Sequence, residues 1–264
     1  AESPVDQIRT EIEAHVAEDR RENRVIHPEH QQTEQNFELI ISEDGEDLAV
    51  REFVDQYAFP WPTQHLTQPD MGWQKNKALN RAIMAAKTDW LIFIDGDCVL
   101  HPRFIEMHVR YKQDNVLLAG KRIKLNPKLS QQLIEGEKTL RFFPYLFNRQ
   151  GCRYVEEAFF IPLSHWFRRR VKHLVGSNMS MSKQALLSIN GFDEEYVRPA
   201  VGEDYDIEWR LLAKGYKIVS LRNLAIQYHL YHKENWLEQH ENMKYCVTQQ
   251  ANNEIVCKNG INKL

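Results

Sequence analysis

The stretch "WLIFIDGDCVLHP", from Trp90 to Pro102, decides how this chain is interpreted. A run of apolar residues leads directly into two aspartates that are separated by one glycine, and a proline follows shortly afterwards. A short apolar run without polar interruption is typical of a strand that is covered on both faces. The sequence therefore predicts a buried strand with Asp95 and Asp97 at its carboxyl end.

A strand and a helix are predicted before this stretch. "FELIIS", from Phe37 to Ser42, has the composition of a short buried strand, and "EDGED" after it is typical of a turn. The segment "WQKNKALNRAIMAAK" predicts a helix with four apolar residues on one face, Leu79, Ala82, Ile83 and Ala86. Strand, helix and strand in this order indicate parallel strands in an α/β layer architecture. Ligands bind beyond the carboxyl ends of such strands, where Asp95 and Asp97 are expected.

Composition limits the classes of partner and the compartment. The chain has 264 residues, 42% of them hydrophobic, and a formal net charge of -3, so we expect no binding to nucleic acid through bulk charge. No apolar run approaches the ~20 residues of a membrane-spanning helix. The four cysteines show no CxxC spacing, which favours a reducing compartment. We therefore expect a soluble, cytoplasmic protein.

Four residues have the chemistry and spacing of metal ligands. Asp95 and Asp97 stand two apart at a strand end, so both carboxylates can reach one divalent cation. His229 and His232 lie just before a polar break late in the chain. A solvated acidic turn and two ordinary surface or core histidines are the alternative interpretation.

Two further pairs are candidates for chemistry or binding. Glu203 and Asp204 open the predicted helix "GEDYDIEWRLL", where the helix dipole keeps a carboxylate ionised, as a general base requires. Helix capping would explain the same residues. Lys77 and Asn80 are neighbours on the surface of the helix before the DGD strand, and Lys77 could pair with a phosphate. An exposed, solvated helix face is the alternative.

Five stretches in order resemble the GT-A inverting glycosyltransferases of family two, with a C-terminal half similar to the galactosyltransferase and chondroitin-polymerase branch. The stretches are "QTEQNFELIISEDGED", "QPDMGWQKNKALNRAIMAAKTDWLIFIDGDCVLHP", "GSNMSMSKQALLSINGFDEEY", "GEDYDIEWRLLAKGYKI" and "YHLYHKEN". The resemblance spans about Gln32 to His232. It implies an α/β GT-A fold that is Rossmann-like, with a mixed, mostly parallel central sheet flanked by helices.

The resemblance also implies roles for individual residues. Glu43 and Asp44 would contact the uracil or ribose of a UDP-sugar, and Asp95 and Asp97 correspond to the metal-binding DxD motif. Mn²⁺ or Mg²⁺ is the implied cofactor. Lys77, Asn80 and Asp95 are further expected on the donor side.

The second half of the chain supplies the remaining roles. His229 best matches the family's late metal-ligand histidine, with His232 as the competing choice. Asp204 is similar to the catalytic base and Glu203 to an acceptor contact, and these two roles could be exchanged. The expected divisions are an N-terminal helix and connector that depart from the family pattern (1–31) and a GT-A domain (32–264), with a donor half (32–120), an acceptor half (121–235) and a helical tail (236–264).

The function implied is metal-dependent, inverting transfer of a hexosyl or N-acetylhexosaminyl group from a UDP-sugar to a glycan or lipid-linked acceptor, in bacterial surface polysaccharide synthesis. Residues 141–170, dense in aromatics and arginines, would form an acceptor lid, make peripheral contact with the inner face of the membrane, or simply pack.

Two alternative functions stay open. One is a haloacid-dehalogenase-like phosphatase with Asp95 as nucleophile and Asp97 as acid/base, and the other is a catalytically degenerate glycan-binding module.

Overall fold

The structure, a computed structural model, describes most of the chain: residues 32–134, 151–162, 171–196, 198, 203–233 and 240–264. The predicted N-terminal helix and connector (1–31) lie outside the described residues, and of the segment 141–170 only 151–162 is described. Among the described residues, no helix is both long and apolar enough to cross a membrane.

Short strands and helices follow one another along the described part of the chain. The elements are β1 (Leu39–Ser42), α1 (Leu48–Gln56), β2 (Thr63–Leu66), α2 (Lys75–Ala85), β3 (Trp90–Phe93), β4 (Cys98–Leu100), α3 (Phe104–Arg110), β5 (Val116–Ala119), β6 (Lys121–Lys124), α4 (Pro127–Ile134), a 3₁₀ turn (Val155–Ala158), β7 (Met179–Ser182), α5 (Lys183–Ser188), α6 (Glu203–Ala213), β8 (Lys217–Ser220), β9 (Ile226–His229) and α7 (His240–Ala251).

The strands form three small sheets. β1 pairs in parallel with β2; a four-stranded sheet has the order β3-β7-β5-β8; and a three-stranded sheet has the order β4-β9-β6. The sheets are mixed, as predicted, but parallel pairs do not predominate, and β3, which was expected to run parallel to the preceding strand, lies in a different sheet from β1 and pairs antiparallel with β7. Parallel and antiparallel pairs are equally frequent in the described part of the chain, because β7 runs antiparallel to both β3 and β5, and β4 runs antiparallel to β9.

Helix α2 and helix α6 match the sequence pattern closely. Ile83 and Ala86 are buried as predicted, and Leu79 packs on the same core. Helix α6 ends at Ala213, and Gly215 follows with φ +90°, a left-handed conformation that favours glycine. This core joins α2, α5 and α6 to the four-stranded sheet.

The prediction that β3 is fully buried was wrong in part. Phe93 is buried, but the other three residues of the strand, Trp90, Leu91 and Ile92, are only partly buried. The reason is that β3 has one partner strand, β7, within the described residues, so one of its edges has no described neighbour. The fully buried strands are β5 and β9.

The DGD sequence joins two sheets. Asp95 follows β3 of the four-stranded sheet, and Asp97 precedes β4 of the three-stranded sheet. The link between them is the single residue Gly96. The two carboxylates thus stand at the place where the two sheets meet.

Candidate functional site

Asp97 and two histidines form a compact cluster. Because β4 pairs antiparallel with β9, Cys98 lies opposite His229, and the residue before β4 reaches the end of β9. Asp97 Oδ2 lies 3.2 Å from His229 Nε2 and 3.3 Å from His232 Nε2. One ligand atom from each of the three residues lies within 4.8 Å of the other two, so the cluster could hold one metal ion.

The donor set of this cluster fits a divalent transition metal. Burial lowers the pKa of His229, with the charges of Arg122 and His232 acting in the same direction, while Asp97 opposes the shift. A neutral imidazole has a ring lone pair available for a metal. One carboxylate with two imidazoles suits Mn²⁺ better than Mg²⁺, which prefers oxygen ligands.

Asp95 belongs to a different set of contacts from Asp97. Its Oδ1 accepts a hydrogen bond from Lys75 Nζ at 3.2 Å, and its Oδ2 accepts one from Arg122 Nη1 at 3.3 Å. Lys75 is the first residue of α2 and Arg122 lies on β6. Both carboxylate oxygens of Asp95 are therefore occupied by cations from the protein itself.

Lys75 also reaches the second half of the chain. Its Nζ lies 3.3 Å from Glu203 Oε1. Although burial alone would lower the pKa of Lys75, the charges of Asp95 and Glu203 raise that pKa above its ordinary value. The ammonium group is therefore charged at neutral pH and joins the two carboxylates.

Glu203 and Asp204 stand in the first turn of α6, as predicted. Asp204 Oδ2 accepts a hydrogen bond from Gly176 N at 3.2 Å, and Oδ1 accepts one from Tyr205 N at 2.8 Å. Burial, followed by the charge of Glu203, raises the pKa of Asp204. Glu203 Oε2 is buried and has no hydrogen-bond partner among the described residues.

The predicted nucleotide contacts lie beside a group of glutamines. Glu43 contacts His65, and Asp44 Oδ1 accepts a hydrogen bond from Gln68 Nε2 at 2.7 Å. Asp44 Oδ2 accepts a second bond from the backbone N–H of Gln74. The side-chain oxygens of Gln68 and Gln74 are buried and have no hydrogen-bond partner among the described residues.

Lys77 and Asn80 do not join the cluster. Lys77 is exposed on α2, and Asn80 is buried, with its Nδ2 donating to Phe192 O at 2.8 Å and to Glu194 Oε1 at 3.0 Å. Asn80 therefore ties α2 to the segment that follows α5, and its amide is used within the fold. The lysine that reaches the acidic groups is Lys75, which sequence reasoning missed.

Comparison with known proteins places the chain among the glycosyltransferases. A family model described as glycosyltransferase like family 2 matches residues 17–246, which is most of the chain. The chondroitin synthase of Escherichia coli is 24% identical over 214 residues, covering 75% of this chain and 31% of that protein. The chain thus spans about a third of the length of this relative.

Solved structures show the same fold. The crystal structure of GalNAc-T7 with UDP, GalNAc and Mn²⁺ matches with a TM-score of 0.52 at 12% identity, covering 80% of this chain and 41% of that one. The crystal structure of S. aureus TarS matches with a TM-score of 0.55 at 14% identity, covering 86% of this chain and 37% of that one. The predicted GT-A fold is confirmed by this likeness.

Proposed function

Because the chain belongs to glycosyltransferase family 2, we propose that it transfers a sugar from a UDP-sugar to a hydroxyl of a glycan or glycolipid, with inversion at the anomeric carbon. One observation carries this proposal: Lys75 links the candidate metal site to the acidic start of α6. Its ammonium group contacts Asp95, two residues before Asp97 of the metal cluster, and also Glu203, which adjoins Asp204 on α6. The family match favours this interpretation over the phosphatase alternative.

On the donor side, Asp97, His229 and His232 would hold a divalent ion, with Mn²⁺ preferred because two of the three ligand atoms are nitrogens. A bound divalent ion neutralises negative charge on a diphosphate leaving group. Support for the cofactor comes from GalNAc-T7, whose structure contains UDP and Mn²⁺. Asp95 was expected in this ligand set as well; its two oxygens accept hydrogen bonds from Lys75 and Arg122, and its part in binding the metal stays a prediction.

The nucleotide would bind where Asp44, Gln68 and Gln74 meet. A uracil or ribose carries donors for the orphaned glutamine oxygens, and Asp44 accepts hydrogen bonds there already. Glu43, the residue directly after β1, would contribute beside Asp44 and contacts His65.

On the acceptor side, Asp204 would take the proton of the attacking hydroxyl. The acceptor oxygen forms its bond to the anomeric carbon as the bond between that carbon and the UDP oxygen breaks, and the proton remains on Asp204. A raised pKa makes a carboxylate a better base, so the burial of Asp204 supports this role. Glu203, with one oxygen lacking a described partner, would contact the acceptor.

The wider role is proposed from the relatives. The likeness to a bacterial chondroitin synthase supports a role in surface polysaccharide synthesis, with a hexosyl or N-acetylhexosaminyl group transferred. All four cysteines are unpaired, which supports the proposed cytoplasmic location.

A screen of sugar nucleotides tests the proposal. We expect UDP-sugars with Mn²⁺ to raise the melting temperature and to be hydrolysed slowly, because water can replace the acceptor. GDP-sugars should have neither effect. Asp97→Ala, which removes the carboxylate of the cluster, is the control and should abolish Mn²⁺-dependent stabilisation. An absence of stabilisation and of turnover with every UDP-sugar would contradict the proposal.

A further inference from the structure

We propose that Lys75 is a positioning residue that holds Glu203 in place on the acceptor side of the site. This inference rests on the proposed function. Lys75 would act through Glu203 and not by binding the donor phosphates.

The position of Lys75 is unfavourable unless acidic groups surround it. It is the first residue of α2, where the helix dipole repels a cation. The first turn of α2 contains no acidic residue, and Gln74 provides no side-chain cap. Asp95 and Glu203, which come from elsewhere in the chain, supply the compensating charge.

The two carboxylates depend on Lys75 to different degrees. Asp95 keeps a second cation, Arg122, on its other oxygen at 3.3 Å. Glu203 has only Lys75 on Oε1 among the described residues, while its Oε2 is buried without a partner there. Loss of the ammonium group would therefore leave both oxygens of a mostly buried carboxylate unsatisfied, at 13% side-chain exposure.

Loss of the Lys75 ammonium group would affect the acceptor side of the site. Without the ammonium group, Glu203 would move from this position to find other hydrogen-bond donors. Glu203 adjoins Asp204 in α6, and Asp204 accepts a hydrogen bond from the backbone N–H of Gly176. Displacement of Glu203 would therefore disturb the group that receives the acceptor proton, while the Asp97 cluster keeps its own contacts.

The experiment is a double-mutant cycle between Lys75→Met and Glu203→Gln, read by hydrolysis of the best UDP-sugar from the screen and by calorimetry of UDP with Mn²⁺. We expect Lys75→Met to lower kcat by about 10-fold or more in the parent chain and to have little further effect in the Glu203→Gln background. KM for the donor and Kd for UDP should change by less than about 2-fold.

Two further variants complete the test. Lys75→Arg keeps the charge and should restore most of kcat. Lys87→Met removes an exposed charge beyond the opposite end of α2 and should leave kinetics unchanged. Weaker UDP binding with kcat preserved, or additive effects of the two substitutions, would overturn the inference. Failure of the parent chain to hydrolyse any UDP-sugar would instead count against the proposed function itself.

Discussion

At the scale of single residues, the two aspartates of the DGD sequence have different surroundings. Asp97 faces two imidazoles, whereas Asp95 faces Lys75 and Arg122. We expect Asp97→Asn to weaken Mn²⁺ binding by more than about 10-fold, which is the typical effect of losing even an outer contact of a metal site. Asp95→Asn should weaken Mn²⁺ binding less than Asp97→Asn does. Calorimetry with MnCl₂ measures both, and equal losses would contradict the division of roles.

Asp204 gives a second prediction at this scale. Asp204→Asn removes the proposed base and preserves the size of the side chain, but its single amide oxygen keeps only one of the two backbone hydrogen bonds from Gly176 and Tyr205. We expect turnover to fall by about 10²- to 10⁴-fold, the usual contribution of positioned base catalysis. UDP affinity should be unchanged, because Asp204 lies outside the Asp97 cluster. Full activity in this variant, with Glu203→Gln inactive, would show that the two carboxylates exchange roles.

The residue scale also shows what sequence could not supply. Lys77 and Asn80 were predicted because they share the surface of the helix before the DGD strand, but the side chain of Asn80 is used inside the fold. The sequence at the first turn of α2 did indicate a role for Lys75. The helix dipole disfavours a positive charge at a helix N-terminus, so a lysine there is expected to have acidic partners. Those partners, Asp95 and Glu203, are distant in sequence, so only the tertiary structure identifies them.

At the scale of elements, helix α3 is tied to β7 by a histidine. His108 is fully buried; its Nδ1 lies 2.8 Å from Ser180 Oγ and its Nε2 lies 3.1 Å from Asn178 Oδ1. Burial lowers the pKa of His108 to about 3. The ring is therefore neutral in the folded protein, whereas in the unfolded chain it titrates near about 6.5.

This difference predicts a loss of stability in acid. Below about pH 6.5 the unfolded chain binds a proton that the folded protein does not, so the free energy of unfolding falls as pH decreases, by at most about 1.4 kcal/mol per unit from this group. Urea denaturation at about pH 7 and about pH 5 measures the decline. His108→Gln should decline less steeply than the parent chain. An identical slope would contradict the buried neutral ring.

Elements were predictable where their signal is local. The apolar face of α2 and the glycine after α6 are encoded within a few residues, so these helices could be located from sequence. Strand pairing is not local. Asp97 meets His229 because β4 pairs with β9, and although the residue types and the family resemblance suggested a shared metal site, no local pattern predicts this strand pairing. The partial exposure of β3 likewise depends on its neighbours and not on its apolar composition.

At the scale of the whole molecule, β1 and β3 each have a single partner among the described residues. Backbone N–H groups on a strand edge without a neighbour exchange faster than those of a strand paired on both sides. We expect amides on the outer edges of β1 and β3 to exchange at least about 10-fold faster than those of β5, which is buried and paired on both sides. Hydrogen exchange read by mass spectrometry measures this, and equal protection would show that another segment covers these edges.

The crossing at Gly96 has a mechanical consequence. Asp95 follows a strand of the four-stranded sheet, and Asp97 precedes a strand of the three-stranded sheet. The distance between their carboxylates therefore depends on how the two sheets are oriented relative to each other. A cavity created far from the surface, in the core that Leu100 and Leu118 share, would shift that alignment. Manganese affinity should tolerate such a shift, because Asp97, His229 and His232 all adjoin the three-stranded sheet, whereas the ion pair between Asp95 and Arg122, which spans the two sheets, would lengthen.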